Sequence, residues 1–231
     1  MRITFVSDTH TKHNEITQDL PGGDLIIHAG DIMNSGYANY EVEEFCEWFA
    51  SQKQYDKKVF IAGNHDRAFE NNPDQVKSIL DQFPNLIYLE DEMLGLYSLD
   101  TDKSVKIYGS PWQPEFYNWA FNLPRMGDEI KSKWNMIPDD TDILITHGPP
   151  FGYSDIPGGQ SIRVGCEMLR HRVDELKPKI HVFGHIHGAN GYYFNGHTHF
   201  FNASVLNERY NYTNKPFHFE WDQATNQITW L

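Results

Sequence analysis

Apolar residues along this chain gather in short runs bounded by Gly, Asn, Asp or Pro, a pattern of buried strands rather than of long helices. The strand candidates are Ile3–Ser7, Asp24–His28, Lys58–Ala62, Leu86–Leu89, Val105–Tyr108, Asp142–Thr146, Lys179–Phe183, Tyr192–Phe194, His197–Asn202, Phe217–Trp221 and Gln227–Leu231. They are rich in Ile, Val, Phe and Tyr, which pack well on a pleated surface. A helical period interrupts them in a few places. Over Asn39–Gln52, Val42, Phe45, Cys46 and Phe49 fall at helical spacing, and over Ser161–Leu176 so do Ile162, Cys166, Leu169, Val173 and Leu176. Pro73 opens a short helix running to about Phe83, where Pro84 blocks continuation.

Strand and helix alternate at first, which argues for parallel pairing, whereas short strands and tight turns such as Asn195-Gly196 fill the tail after Gly188. Mixed sheets with helices outside follow. With no linker or low-complexity tract and no internal repeat, the 231 residues are expected to form one domain, 1–231.

Charge then narrows the partners. Nineteen Lys and Arg stand against 32 Asp and Glu, a net charge of −13 with no basic cluster, so nucleic acid and anionic membrane surfaces are disfavoured. A small phosphorylated molecule remains open if a metal supplies positive charge. Only Cys46 and Cys166 occur, each within a predicted helix and neither in a CxxC, which argues against a disulfide framework and a zinc-thiolate site. The chain starts on a strand-like run without the features of a signal peptide and has no long apolar segment; a cytoplasmic protein is expected.

The strand ends carry the chemistry. Asp8 and His10 lie two residues apart, so on an extended segment they point the same way. A buried strand ends in Gly30-Asp31, where glycine lets the backbone turn; another ends in Gly63, Asn64, His65 and Asp66; a third in His147-Gly148; a fourth in Gly184, His185 and His187. Carboxylate, imidazole and amide groups gathered on one sheet edge would hold divalent cations.

In this order the motifs DxH, GD, GNHD, strand-end His-Gly and GHxH resemble the calcineurin-like metallophosphoesterases, two-metal phosphate-ester hydrolases, over Asp8 to His187. The resemblance implies a four-layer sandwich of two mixed β-sheets flanked by α-helices, the metallo-dependent phosphatase fold. It also implies two divalent ions, with Mn, Fe, Zn, Co and Ni all compatible with the donors: Asp8, His10 and His187 on one, Asn64, His147 and His185 on the other, and Asp31 between them. Two cations of about +4 in total against two carboxylates leave roughly +2 for a phosphoryl group. Phosphodiester hydrolysis by a hydroxide bridging the metals is expected, with His65 as the catalytic imidazole, Asp66 orienting its ring, and Asn64, His65 and Arg67 contacting substrate.

Further segments, Gly109–Pro114, Trp119–Asn122, His147–Pro150, Gly165-Cys166 and Phe201–Ser204, are similar to the small metallophosphoesterase-domain branch whose characterised members are cyclic-nucleotide phosphodiesterases. Trp112, Phe116, Trp119 and Phe121 could stack a base, although packing within a loop is the simpler reading. After Asp31 the acidic-Arg continuation of the protein Ser/Thr phosphatases is missing, which favours small diesters. The alternatives are a phosphomonoesterase or nuclease of the same superfamily, or a non-catalytic protein-binding scaffold. His28, His171, His181, His197, His199 and His218 receive no role; His13 is expected to be a solvated loop residue, Asp155 a turn residue and Glu41–Glu47 the wet face of a helix.

Overall fold

The computed structural model describes residues 1–98 and 103–231. In chain order the strands are β1 (Arg2–Val6), β2 (Gly23–His28), β3 (Tyr55–Phe60), β4 (Leu86–Tyr88), β5 (Glu92–Ser98), β6 (Lys103–Ser110), β7 (Gln113–Pro114), β8 (Asn122–Leu123), β9 (Ile143–Thr146), β10 (Ile180–Phe183), β11 (Gly191–Phe194), β12 (His199–Asn202), β13 (Phe217–Asp222) and β14 (Gln227–Trp230). The α-helices are α1 (Asn39–Ala50), α2 (Arg67–Asn71), α3 (Pro73–Leu80), α4 (Asp128–Asn135) and α5 (Glu167–Leu176).

Two six-stranded sheets form, in the orders β14-β13-β1-β2-β3-β4 and β11-β12-β10-β9-β6-β5. The inner strands of each are parallel, β1 to β4 in the first and β12, β10, β9 and β6 in the second, while β13, β11 and β5 pair antiparallel with β1, β12 and β6, and β14 pairs antiparallel with β13. Parallel neighbours all end on the same edge, so their carboxyl ends share one rim.

Side-chain alternation builds the layers. Ile3, Phe5, Leu25, Ile27 and Val59 from the first sheet meet Ile107, Ile143, Ile145, Val182 and Phe201 from the second. The opposite faces pack outward: Val6, Ile26 and Phe60 against Val42, Phe45 and Phe49 of α1, and Tyr108, Leu144 and Phe183 against Trp134 of α4 and Leu169 and Val173 of α5. Each such fully buried side chain contributes roughly 1.5–3 kcal/mol. The fold is the expected four-layer sandwich. At the rim the sheets touch through a parallel bridge between Ser7 and Ser204.

Several local expectations fail. The helix over Ser161–Leu176 begins only at Glu167, because Cys166 N–H donates to the Pro149 carbonyl and Val164 N–H to that of Asp155, drawing the preceding residues into irregular structure. Ile162 is thus 67% exposed rather than on a buried face. Cys166 lies at the N-cap instead of inside the helix, where its sulfur accepts from Leu169 N–H. His13 is buried in a 3₁₀ turn against Trp48 and Phe45 rather than solvated, since the turn lays its apolar side on α1. Glu41 leaves the wet face of α1 to accept from Asn34 N–H at 3.0 Å. β5, α2, α4 and the two-residue strands β7 and β8 lie outside the elements the pattern predicts; α4 is mostly polar, with only Ile130 and Trp134 buried. The Asn195-Gly196 hairpin forms as expected between β11 and β12.

Candidate metal centre

Every strand that supplies a candidate donor stops at the shared rim. Asp8 and His10 follow β1, Asp31 follows β2, Asn64 and His65 follow β3, His147 follows β9, and His185 and His187 follow β10. The segment after β1 is not extended, however. Asp8, His10 and Thr11 have φ of 55°, 42° and 66°, Asp31 has 57° and His185 has 70°, all left-handed. The two carboxylate and imidazole side chains still converge, but through turns rather than strand alternation. Backbone bonds hold those turns: Asp8 N–H to the Gly30 carbonyl, His10 N–H to Asp31 and Thr11 N–H to Ile32, at 2.9–3.0 Å. Glycines make room, since a Cβ on Gly63 would strike Asp31 and His147, and one on Gly184 would strike Asp8 and Ser7.

Three donor groups result, Asp8 with His10 and His187, His10 with Asp31 and His65, and Asp31 with His147 and His185, the ligand atoms within each lying inside 4.8 Å. Asn64 Oδ1 lies 3.0 Å from His147 Nε2 and 2.8 Å from His185 Nδ1. His10 Nε2 is 3.2 Å from His187 Nε2 and 3.6 Å from Asp31 Oδ2, and His147 Nε2 is 3.3 Å from Asp31 Oδ1. All seven expected donors thus meet, with Asp31 common to both sides.

Surrounding groups aim these atoms. The Nδ1 atoms of His10, His147 and His187 face the carbonyls of Met33, Ala29 and Asn207, at 3.1, 2.9 and 3.0 Å. A carbonyl only accepts, so each Nδ1 carries the proton and each Nε2 points into the site, the arrangement that orients imidazole ligands. Asp8 accepts from His185 N–H and Ser204 Oγ–H, and Asp31 from His65 N–H. The donor set of nitrogen and oxygen atoms, without thiolate, suits divalent transition ions.

Electrostatics follow from this crowding. Burial pushes the Asp8 and Asp31 carboxyls up, but His187 beside Asp8, and His147 and His65 beside Asp31, hold both below the ordinary carboxylate range. Burial pulls His147 and His187 down, yet Asp31 and Asp8 raise them to about 9. His10 and His185 lack such a dominant partner, and burial lowers them to about 4 and about 3.

The residues beside the donors sort differently from expectation. Asp66 does not hold the His65 ring: its carboxylate accepts from the backbone N–H of Ile32, Met33 and Gly63 at 3.2, 2.8 and 2.7 Å. Burial and the Asp31 charge push its pKa up to about 8. Instead the Asn34 carbonyl receives His65 Nδ1–H, and Trp119 stacks on the ring at 4.0 Å. Arg67 lies over Trp119 and Tyr37 and donates to the Asn118 carbonyl, and it does not line the cleft above the donors. A backbone carbonyl has no sequence signature, so Asn34 was not foreseeable.

That cleft has a volume of about 500 Å³. Asp31, Asn64, His65, His185 and His187 contribute to it, together with Pro114, Phe116, Pro149 and Ile186. Of the four aromatics considered for stacking, only Phe116 lines it; Phe121 is buried against Trp112, and Trp119 serves His65. Asp155 is a buried turn residue, accepting from Gly152 N–H and paired with Arg163. Among the described residues no helix is long and apolar enough to cross a membrane.

Comparison with known proteins gives a consistent picture. The family described as Calcineurin-like phosphoesterase matches residues 1–189. Metallophosphoesterase domain-containing protein 1 from human is 42% identical over 230 residues, covering 93% of this chain and 69% of its own, and the mouse protein gives the same figures. Among solved structures, phosphopantetheinyl hydrolase from Mycobacterium tuberculosis superposes with a TM-score of 0.61 at 13% identity, over 96% of each chain. A Plasmodium protein described as the anchor in the inner membrane complex gives 0.54 at 11% identity, over 94% of this chain and 77% of that one. At such identities these structures are alike in fold.

Proposed function

The chain belongs to the calcineurin-like phosphoesterase family of metal-dependent phosphoester hydrolases, and from that premise we propose that residues 1–231 act as one domain hydrolysing phosphodiesters of small molecules, cyclic nucleotides among them. The observation that carries this reading is the pair of donor groups joined by Asp31 under one open cleft. Asp8, His10 and His187 would hold one divalent cation, Asn64, His147 and His185 the other, and Asp31 both. When bound, the cations supply Lewis acidity and an activated water at neutral pH.

The chain's own groups do the rest. Asp8 and Asp31 are kept ionised by their imidazole neighbours, so they present full charge to the cations. Asn64 brings a neutral oxygen, which leaves the site a net positive charge for a phosphoryl group. His65, with Nδ1–H committed to the Asn34 carbonyl and its face against Trp119, directs Nε2 toward the substrate. As a general acid it hydrogen-bonds a phosphoryl oxygen and delivers a proton to the leaving alkoxide, a contribution of about 10²–10⁴ in rate. Asp66 secures the Gly63 turn and the Ile32-Met33 turn to each other, a positioning role. Arg67 supports Trp119 rather than substrate.

Metal analysis together with turnover of bis-p-nitrophenyl phosphate and p-nitrophenyl phosphate tests the reading. Two cations per chain and preferential diester hydrolysis support it. Monoester preference would correct the substrate class, and two bound cations with no turnover of either ester would favour a non-catalytic platform on this fold.

A further inference from the structure

The geometry points to Gln113 as a specificity-determining residue whose Oε1 accepts a hydrogen bond from the organic part of the substrate, so that the cleft selects a phosphoester bearing hydroxyl or ammonium donors and no second negative charge. The inference rests on the phosphoester reading above and names its substrate class.

Gln113 is 1% exposed, lines the cleft, and its Oε1 accepts no hydrogen bond from the described residues. A buried amide oxygen without a donor is costly and marks a group reserved for something else. Its orientation is determined by a neighbour. Asn122 Nδ2 donates to the carbonyls of Phe116 and Tyr117 at 3.3 and 2.9 Å, which leaves Asn122 Oδ1 facing Gln113 Nε2 at 3.4 Å. Flipping the Gln113 amide would set two oxygens against each other, so Oε1 is the unpartnered end. The side chain lies beside Gly148, where an added Cβ would sit 3.5 Å from Gln113 Cβ and 3.9 Å from Oε1. Gly148 directly follows His147, which places this acceptor next to the metal centre.

The charges of the same cleft agree. Glu115 and Glu208 line it, and neither carboxylate is in an ion pair among the described residues. Arg125 lines it too, but its guanidinium donates to the carbonyls of Val164 and Gly165 and pairs with Glu167 at 3.0 Å. Beyond the cations and His65, the charged side chains left unpaired on the walls are therefore carboxylates, Gln113 Oε1 is an open acceptor, and Phe116 and Pro149 add apolar surface. Such a wall receives a donor-bearing neutral or cationic group and repels a polyphosphate tail.

The test uses the manganese-loaded enzyme and four p-nitrophenyl phosphodiesters whose second ester is propyl, hydroxypropyl, aminopropyl or carboxyethyl. Values of kcat/KM for the hydroxypropyl and aminopropyl esters should exceed that of the propyl ester by about tenfold, and the carboxyethyl ester should fall below it by about as much. Gln113→Leu should bring the hydroxypropyl-to-propyl ratio close to one, and Glu208→Gln should raise the carboxyethyl ester relative to the others. Equal turnover of the four esters by the unmodified enzyme overturns the inference while leaving the phosphodiesterase reading intact, and this comparison decides even where the Leu variant does not fold. A folded Gln113→Leu enzyme that keeps the full ratio overturns the assignment to Gln113. Four inert esters overturn both readings.

Discussion

Cation loading should be coupled to proton release, and the coupling can be sized from the site. In the cation-free protein Asp31 raises His147 and Asp8 raises His187, each to about 9, so both rings are imidazolium at pH 7. A ligand nitrogen must be neutral, and two of the three donor groups contain one such ring each: His187 with Asp8 and His10, His147 with Asp31 and His185. Each cation therefore displaces about one proton below pH 9, and its apparent affinity should weaken about tenfold for every pH unit of acidification. From about pH 9 to about pH 7 the penalty is roughly 2.7 kcal/mol per site, a factor of about 100. Calorimetric titration of chelated protein with manganese, in buffers of different ionisation enthalpy, measures the protons directly. About one per cation is expected. A heat independent of buffer, with affinity flat across neutral pH, would refute the claim that these two rings hold protons against Asp31 and Asp8.

The same shifts give the cation-free fold its own pH profile. His147 and His187 have pKa values raised above the ordinary 6.5, so their stabilisation is complete below that value and is lost as pH rises toward 9. His10, His13, His28, His181 and His185 are lowered to between about 3 and about 4, so they destabilise the fold as pH falls below 6.5. Urea midpoints of the chelated protein should therefore peak near neutrality and decline on both sides. His65→Ala should lower kcat by about 10²–10⁴ at saturating metal, with metal content unchanged by elemental analysis; unaltered kcat removes the imidazole from the chemistry. Gly184→Ala puts a Cβ against Asp8 and should abolish binding of at least one cation, whereas Gly159→Ala, with nothing within 4 Å, should cost about 1 kcal/mol of stability for its left-handed φ and leave metal content intact.

Much of the centre was legible because its parts are local in sequence. A strand followed by Gly30-Asp31, or by His185 and His187, announces both the rim and the donor at once, and Asp8, His10, Asp31, His147, His185 and His187 do meet, with Asn64 Oδ1 against His147 and His185. The sandwich was legible for the same reason, since runs such as Ile3–Ser7 alternate between two cores. What escaped depends on contacts between distant residues. The true partner of His65 is a carbonyl at Asn34, and Asp66, adjacent in sequence and chemically plausible, is claimed by three backbone N–H groups. Arg67 looked like a phosphate ligand by position, but the helix it starts carries it to Trp119. The helical period overruns the start of α5 because Ile162 matches it, while hydrogen bonds to Pro149 and Asp155 override it.

The left-handed turns tie these two outcomes together. Four of the seven donors, Asp8, His10, Asp31 and His185, have φ between 42° and 70°, a conformation that costs an ordinary residue about 1–2 kcal/mol. Asp, Asn and His tolerate it better than branched residues, so the ligand types are also those the geometry accepts. The cost is offset by bonds that have nothing to do with a cation: Asp8 to Gly30, His10 to Asp31, Thr11 to Ile32, and Gly184 N–H to the His147 carbonyl. Each links the loop after one strand to the loop after its neighbour, and Ser204 adds the second sheet through Asp8. Strain spread over several strands cannot relax at one residue without breaking bonds at another. The donors are consequently placed by the sandwich itself, and a cation entering the site has protons to displace rather than a backbone to fold.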